Sequence, residues 1–97
     1  MHTIKSFELS FDPAKNERNI AERGLSFAQA VDFDFASAFF WLDTRKSYPE
    51  HRIAALGLLA GRVHSLVFAE TSTGIRVISF RKANPREVTR YEQETQS

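Results

Sequence analysis

The sequence contains no cysteine, four glycines, three prolines and no long hydrophobic run. Without cysteine the chain forms neither a disulfide nor a metal site with thiolate ligands. Because disulfides are rare in reducing compartments, their absence favours a cytoplasmic protein. The longest mostly apolar run covers residues 53–60, which is far too short to span a membrane, and residues 1–5 lack the apolar core of a signal peptide.

The 97 residues suit one domain covering residues 1–97. Hydrophobic residues make up 42% of the chain, which is enough for a core of modest size. Nine phenylalanines and one tryptophan supply much of that core, because each aromatic side chain buries a large apolar area.

Positive charge is concentrated in the last third of the chain, although the net charge is only +1. Residues 62–90 contain six arginines and lysines but only two acidic residues, whereas the preceding residues contain seven basic and eight acidic ones. Such an asymmetry indicates a polyanion or an acidic partner. A solvated charged surface with no partner would give the same pattern.

The first half of the chain predicts a strand followed by two helices. Apolar residues alternate over residues 4–11. Asp12 and Pro13 are typical of a helix start, and Gly24 is typical of a helix end, so we expect a helix over residues 13–23. Ser26 begins a second, shorter helix to about residue 34.

The second half predicts strands and a last helix. These are a strand over residues 36–43, a loop over 44–50, a hairpin of 51–59 and 63–70, a strand over 75–80 and a helix capped by Asn84 and Pro85. This order predicts an α+β fold, in which an antiparallel sheet packs with N-terminal helices and a C-terminal helix.

Most familiar catalytic patterns are missing. The three histidines, His2, His51 and His64, do not have the spacing of metal ligands, and the sequence contains neither an HExxH motif nor a glycine-rich phosphate loop. We therefore expect no metal and no cofactor.

The arginines near the end of the chain are the main chemical feature. Strict alternation over residues 75–80 places Arg76 on the face of Ile78 and Phe80, and Arg81 on the opposite face. An arginine near an apolar surface needs a carboxylate or a phosphate, because it keeps its charge. Glu70 on the neighbouring strand is the expected structural partner of Arg76, and a phosphate clamp is the functional alternative.

The same arginines suit RNA cleavage. When a 2′-hydroxyl attacks the adjacent phosphorus, negative charge develops on phosphoryl oxygens that arginine stabilises. A base must also accept the 2′-proton, and the candidates are His64, Glu70 and Glu50, among which the sequence does not choose. We expect Lys82 and Arg86 to bind the RNA.

Ordered motifs from about residue 7 to residue 91 resemble the BrnT family of toxins. They are Phe11-Asp12-Pro13-Ala14-Lys15, Gly24-Leu25-Ser26-Phe27 with Ala30, Glu50-His51-Arg52 followed by Gly57, Gly61-Arg62, and Arg76-Val77-Ile78-Ser79-Phe80-Arg81-Lys82-Ala83 with Glu87 and Tyr91.

The resemblance implies a RelE-like fold and a ribonuclease that is a toxin of a type II toxin–antitoxin pair. Since no metal site is indicated, we expect this ribonuclease to be metal-independent. It also implies a BrnA-type antitoxin, which alone contacts DNA and represses the shared operon. The family's functional positions fall on Arg62, Arg76 and Arg81.

The chain departs from the family pattern at Arg23, where many members have histidine, at His64, where an apolar residue is usual, and at Phe80, which replaces a small residue. We interpret His64 as a core residue, with a role in proton transfer as the alternative. A non-catalytic module that binds nucleic acid or antitoxin, and a degenerate toxin, are the rival functions.

Overall fold

The computed structural model describes residues 7–96. This part of the chain forms a five-stranded sheet, two α-helices and a short 3₁₀ helix. In chain order the elements are β1 (Glu8–Phe11), α1 (Pro13–Arg23), the 3₁₀ helix (Phe27–Asp32), β2 (Phe39–Leu42), β3 (Arg52–Leu59), β4 (Arg62–Glu70), β5 (Gly74–Lys82) and α2 (Pro85–Thr95).

The predicted helix boundaries are confirmed where a capping residue marks them. The Asp12 carboxylate accepts a hydrogen bond from the backbone N–H of Ala14, and Gly24 ends α1 in the left-handed conformation with φ 66°. Ser26 begins the next element, as predicted, and forms a capping box with Gln29. That element is a 3₁₀ helix that ends at Asp32, slightly before the expected helix end near residue 34.

The sheet has the strand order β1-β5-β4-β3-β2, and three of its four strand pairs are antiparallel. The fourth pair, β1 with β5, is parallel and corrects the expectation of an antiparallel sheet. Alternation in β1 predicts a strand but carries no information about a partner more than 60 residues later in the chain. Gly74 permits this pairing, because a Cβ there would collide with the backbone of Glu8.

One face of the sheet is covered by the aromatic core. Residues from the 3₁₀ helix and its flanks pack on this face against β3, β4 and β5; the buried members are Leu25, Phe27, Ala30, Phe33, Ala55, Leu59, Leu66, Phe68, Val77 and Phe80. Asn19 on α1 fixes the covering layer, because its amide donates hydrogen bonds of 2.9 Å to the carbonyls of Leu25 and Phe80.

The other face is covered only in part. Tyr91 of α2 packs against Leu56 and Val63 near the β3–β4 turn. Farther from α2 the buried side chains on this face are mostly small, and they form a second cluster of Ala54, Val67, Ala69 and Ile78. This arrangement leaves room above the sheet for the longer polar side chains described next.

Candidate active site: the arginine face

A β-bulge in β5 changes the direction of its side chains. Ser79 lies opposite Val67 of β4, whereas Val77 lies opposite the next residue, Phe68, so Ile78 is an additional residue on β5. Because a bulge inserts one residue, the alternation of side chains shifts by one position beyond it.

The bulge brings two of the predicted site residues to the same face. Arg76 lies opposite Ala69, and Arg81 lies opposite Ser65, four residues earlier on β4 and therefore on the same side. The expectation that Arg76 and Arg81 point to opposite faces is wrong. Phe80, which was expected beside Arg76, points instead into the aromatic core.

A third arginine, Arg52 of β3, lies on the same face, across β4 from Arg76. Arg52 and Arg76 both lie opposite Ala69, one on each side of it. The carboxylate of Glu50 lies between the two guanidinium groups, and its Oε2 atom is 3.0 Å from Arg52 Nε and 3.2 Å from Arg76 Nη2. Glu50, Arg52 and Arg76 therefore form one linked cluster.

The expected pairing of Arg76 with Glu70 is wrong. Glu70 lies opposite Ile75, which precedes Arg76 and points to the other face. There Glu70 borders an apolar groove with Ile75 and Phe68. Period-two alternation separates the two side chains, although their strands are neighbours.

Hydrogen bonds from arginine keep the Glu50 carboxylate ionised. The bond from Arg52, together with the nearby positive charge of Arg76, holds the pKa of Glu50 below its usual value. The guanidinium carbon of Arg52 also lies 4.0 Å from the centre of the Tyr48 ring, which orients this arginine.

Arg81 is held by a bidentate ion pair. Its Nη1 and Nη2 atoms are 2.8 and 2.9 Å from the two carboxylate oxygens of Glu87. The same carboxylate accepts a bond from the backbone N–H of Asn84 and so caps α2. The bond from Arg81 lowers the pKa of Glu87, and the pKa of Arg81 is raised in return.

A fourth arginine, Arg45 in the loop after β2, lies on the same side of the sheet. It forms two hydrogen bonds of 2.8 Å to the buried carboxylate of Asp43, and these bonds lower the Asp43 pKa. A cavity of about 180 Å³ lies between Arg45 and Arg81; its other lining residues are Trp41, Asp43, Ala54, Ser65, Val67, Ser79 and Glu87. We call the surface formed by Arg45, Arg52, Arg76 and Arg81 the arginine face.

The remaining predicted site residues lie elsewhere. Arg62 and His64 are on β4 near the β3–β4 turn, and alternation places them on the core side, where His64 also faces Lys82 of β5. His64 is only 4% exposed and packs against the Phe80 ring, as expected of a core residue. Arg86 is exposed in the first turn of α2.

Arg45 and Arg52 were not among the predicted site residues. Arg52 stands in the Glu50-His51-Arg52 motif, and alternation along β3 places it with Ala54 and Leu56. Arg76 and Arg81 share that face only because of the bulge, and no local pattern marks the bulge. Arg45 lies within the irregular loop between β2 and β3, so no pattern predicts its direction.

Two classes of feature are not found in residues 7–96. No group of three or more histidine, aspartate or glutamate side chains is arranged to hold a metal ion. Neither described α-helix is long and apolar enough to cross a membrane.

Comparison with known families agrees with the motifs. The family model described as "Ribonuclease toxin, BrnT, of type II toxin-antitoxin system" matches residues 11–87. The chain belongs to the BrnT family. The matched residues contain all four arginines of the arginine face together with Asp43, Glu50 and Glu87. No curated protein matches the chain. Membership in a type II family implies an RNA substrate and a protein antitoxin.

Proposed function

We propose that this BrnT chain is a metal-independent RNA endonuclease and that the arginine face is its cleavage centre. One observation carries the proposal: the bulge places Arg76 and Arg81 on one face with Arg52, and Arg52 and Arg76 both contact the carboxylate of Glu50. Several donors and one acceptor on a partly open surface suit a phosphodiester and its 2′-hydroxyl.

Arg76 is the group best placed to stabilise the phosphoryl charge. Its side chain is 43% exposed, and in the described part of the chain it is bonded to carboxylate through Nη2 alone. Its other donors remain available to a phosphate oxygen. Arg81 uses both terminal nitrogens on Glu87, so it adds positive charge to the site or exchanges Glu87 for phosphate.

Glu50 is the base that the geometry favours among the three candidates. It touches Arg76, whereas His64 and Glu70 belong to the opposite face. In the proposed step Glu50 accepts the 2′-proton, the 2′-oxygen bonds to phosphorus and the bond to the 5′-oxygen breaks. The 5′-oxygen then takes a proton, which leaves a 2′,3′-cyclic phosphate and a 5′-hydroxyl.

The exposed cations outside the arginine face have a supporting role in this proposal. Lys82 and Arg86 attract RNA phosphates, and Arg62 contacts a BrnA-type antitoxin through acidic residues of that partner. The antitoxin alone contacts DNA. The chain acts in the cytoplasm, where its RNA substrate is found.

The fold supports a RelE-like assignment. The mostly antiparallel sheet is covered on one face by the 3₁₀ helix and its flanks, and on the other face α2 packs beside the arginines. The rival function is a non-catalytic module that binds RNA or antitoxin, and one observation favours it. Arginine lowers the pKa of Glu50, so Glu50 is a weaker base until a phosphate takes its place on the arginines.

Cleavage by the purified chain separates these two functions. We expect RNA cut in the presence of a chelator, with 2′,3′-cyclic phosphate ends that an end-specific kinase–phosphatase assay detects. Expression in bacteria should arrest growth, and co-expression of the antitoxin should restore it. Folded protein that binds RNA without cutting it would support the non-catalytic module instead.

A further inference from the structure

A second group of basic side chains lies on the core side of the sheet, near the β3–β4 turn. The end of α1, the start of β4 and the end of β5 enclose a pocket of about 300 Å³ there. We call it the histidine pocket; it is lined by Arg23, Gly24, Leu25, His64 and Lys82. It plays no part in the proposed cleavage step, because the arginine face is on the opposite side.

The His64 ring is held in one orientation. Its Nδ1 atom donates a 2.8 Å hydrogen bond to the carbonyl oxygen of Arg62, and the ring packs 5.6 Å from the Phe80 ring. Because a carbonyl oxygen only accepts, Nδ1 carries a hydrogen and Nε2 is the nitrogen left for a ligand. Lys82 lies directly opposite His64, so both side chains border the pocket from neighbouring strands.

The charges of the histidine pocket are not balanced within the described chain. No carboxylate lines it, whereas each of the four salt bridges in residues 7–96 belongs to the arginine face. The carbonyl end of α1 contributes only about half a negative charge. Arg23 and Lys82 contribute two full positive charges, so the pocket is electropositive and concave.

We infer that the histidine pocket binds a phosphate group. A tetrahedral phosphate offers several acceptor oxygens, which can meet the fork of Arg23, the ammonium group of Lys82 and Nε2 of His64 in its protonated form. The phosphate belongs to a nucleotide, either at an RNA end or within the chain, or it is free. Occupancy of this site does not require that the arginine face cleave RNA.

Titration with inorganic phosphate tests the inference on the whole folded chain. The His64 imidazole resonances are followed by NMR at fixed pH and fixed ionic strength, with chloride as the balancing anion. We expect a saturable shift in the wild-type protein. Lys82→Gln and Arg23→Gln should each weaken binding about tenfold, since each removes a charged donor.

The matched control is Lys46→Gln, which removes a lysine from the loop before β3, outside the pocket. It should bind phosphate as the wild type does. Absence of a saturable His64 shift, or equal weakening by Lys46→Gln, would overturn the inference. In His64→Phe, which retains an aromatic ring against Phe80 but removes the NMR probe, phosphate binding is followed by calorimetry and should be lost; if this variant fails to fold, the exposed Lys82→Gln variant still decides.

Oligonucleotides identify the source of the phosphate. Uncleavable 2′-deoxy strands with a 5′-phosphate or a 5′-hydroxyl are compared, each against wild type and Lys82→Gln. If the 5′-phosphorylated strand binds more tightly and Lys82→Gln removes that advantage, the pocket binds the phosphate at an RNA end. If both strands bind equally and Lys82→Gln weakens both, the pocket binds an internal phosphate. A response to inorganic phosphate alone assigns a small-anion site; all three results support phosphate recognition.

Discussion

The two faces of the sheet differ in whether their basic side chains are paired with carboxylates. On the arginine face, Arg52 and Arg76 share Glu50, while Arg81 is paired with Glu87. On the core side, the histidine pocket has cations with no carboxylate among its lining residues. Similar residue types therefore produce a surface of carboxylate-paired cations in one place and an electropositive pocket in the other.

This difference separates two roles of positive charge: holding guanidinium groups in place at one site and attracting anionic partners at the other. Carboxylates hold guanidinium groups in fixed directions before a substrate arrives, which reduces the reorganisation needed when phosphoryl charge develops. The same carboxylates cancel much of the long-range field of the arginines. Unpaired cations retain that field, so we expect the core-side end of the molecule to dominate the attraction of anionic partners.

Replacing Glu50 should give the largest loss of cleavage. Glu50→Gln keeps the shape but removes the proton acceptor beside Arg76, and loss of a general base typically costs roughly 10²–10⁴-fold in rate. The measurement is single-turnover cleavage of a defined RNA by purified protein. Glu70→Gln is the matched control on the other face and should cleave as wild type. If Glu70→Gln lost cleavage and Glu50→Gln kept it, the base would lie on the core side instead.

Loss of Arg76 should have the next largest effect. Arg76→Ala removes a donor to the phosphoryl oxygens, which should lower the cleavage rate by about 10²–10³-fold. Its partly exposed ion pair should contribute at most about 1 kcal/mol to stability. Arg76→Lys should recover part of the rate, because it restores the charge without the bidentate fork.

Arg62→Ala gives the comparison between faces. Because Arg62 lies on the core side, its removal should change cleavage only a few-fold. Melting curves recorded for Arg62→Ala, Arg76→Ala and Arg76→Lys show whether unfolding causes any loss of cleavage. If Arg62→Ala loses as much activity as Arg76→Ala, the cleavage centre extends beyond the arginine face. If the double variant Arg62→Ala, Arg76→Ala cuts RNA normally, no mechanism based on these arginines survives.

Local signals predicted the elements well. Asp12 and Gly24 mark both ends of α1, Asn84 with Pro85 marks the start of α2, and Gly61 marks the hairpin turn. Each of these residues acts through its own backbone or its near neighbours, so the sequence alone is enough to predict it.

The composition of the site depended on contacts between distant residues. Ile78 is an ordinary apolar residue, and only its mismatch with β4 makes it the bulge that places Arg81 on the same face as Arg76. The Arg76–Glu50 contact joins residues 26 positions apart through the register of β3, β4 and β5. Two departures from the family pattern, Arg23 and His64, line one pocket, which no motif spacing indicated.

The rate of association with the antitoxin should fall as salt rises, by a smaller factor than the cleavage rate falls in the Glu50 and Arg76 variants. Arg62 and Arg86 are exposed and have no carboxylate partner among the described salt bridges. Their field should speed encounter with an acidic antitoxin, so raising the salt from low to physiological concentration should slow association about tenfold. Stopped-flow mixing measures this rate.

Charge removal identifies which cations steer the antitoxin. The double variant Arg62→Gln, Arg86→Gln should associate more slowly and show a flatter salt dependence than wild type. Removing the carboxylate-paired Arg45 by Arg45→Gln is the matched control and should retain the slope. A wild-type rate that does not vary with salt would mean that the antitoxin binds away from these cations.

Glu87 should show the smallest effect, on stability. Its carboxylate binds Arg81 and caps α2, so Glu87→Gln should lower the free energy of unfolding by about 1 kcal/mol at neutral pH. Because folding lowers the Glu87 pKa, its contribution is present above the unfolded-state pKa of about 4.3 and is lost as pH falls through the folded-state value. Urea denaturation from pH 7 to pH 3 should therefore show wild type and variant converging in acid. Val88→Thr, at the next position of α2, retains this carboxylate and should keep the wild-type pH dependence. If the free energy of unfolding differs between wild type and Glu87→Gln by the same amount at every pH, the ion pair contributes nothing and the variant acts through packing alone.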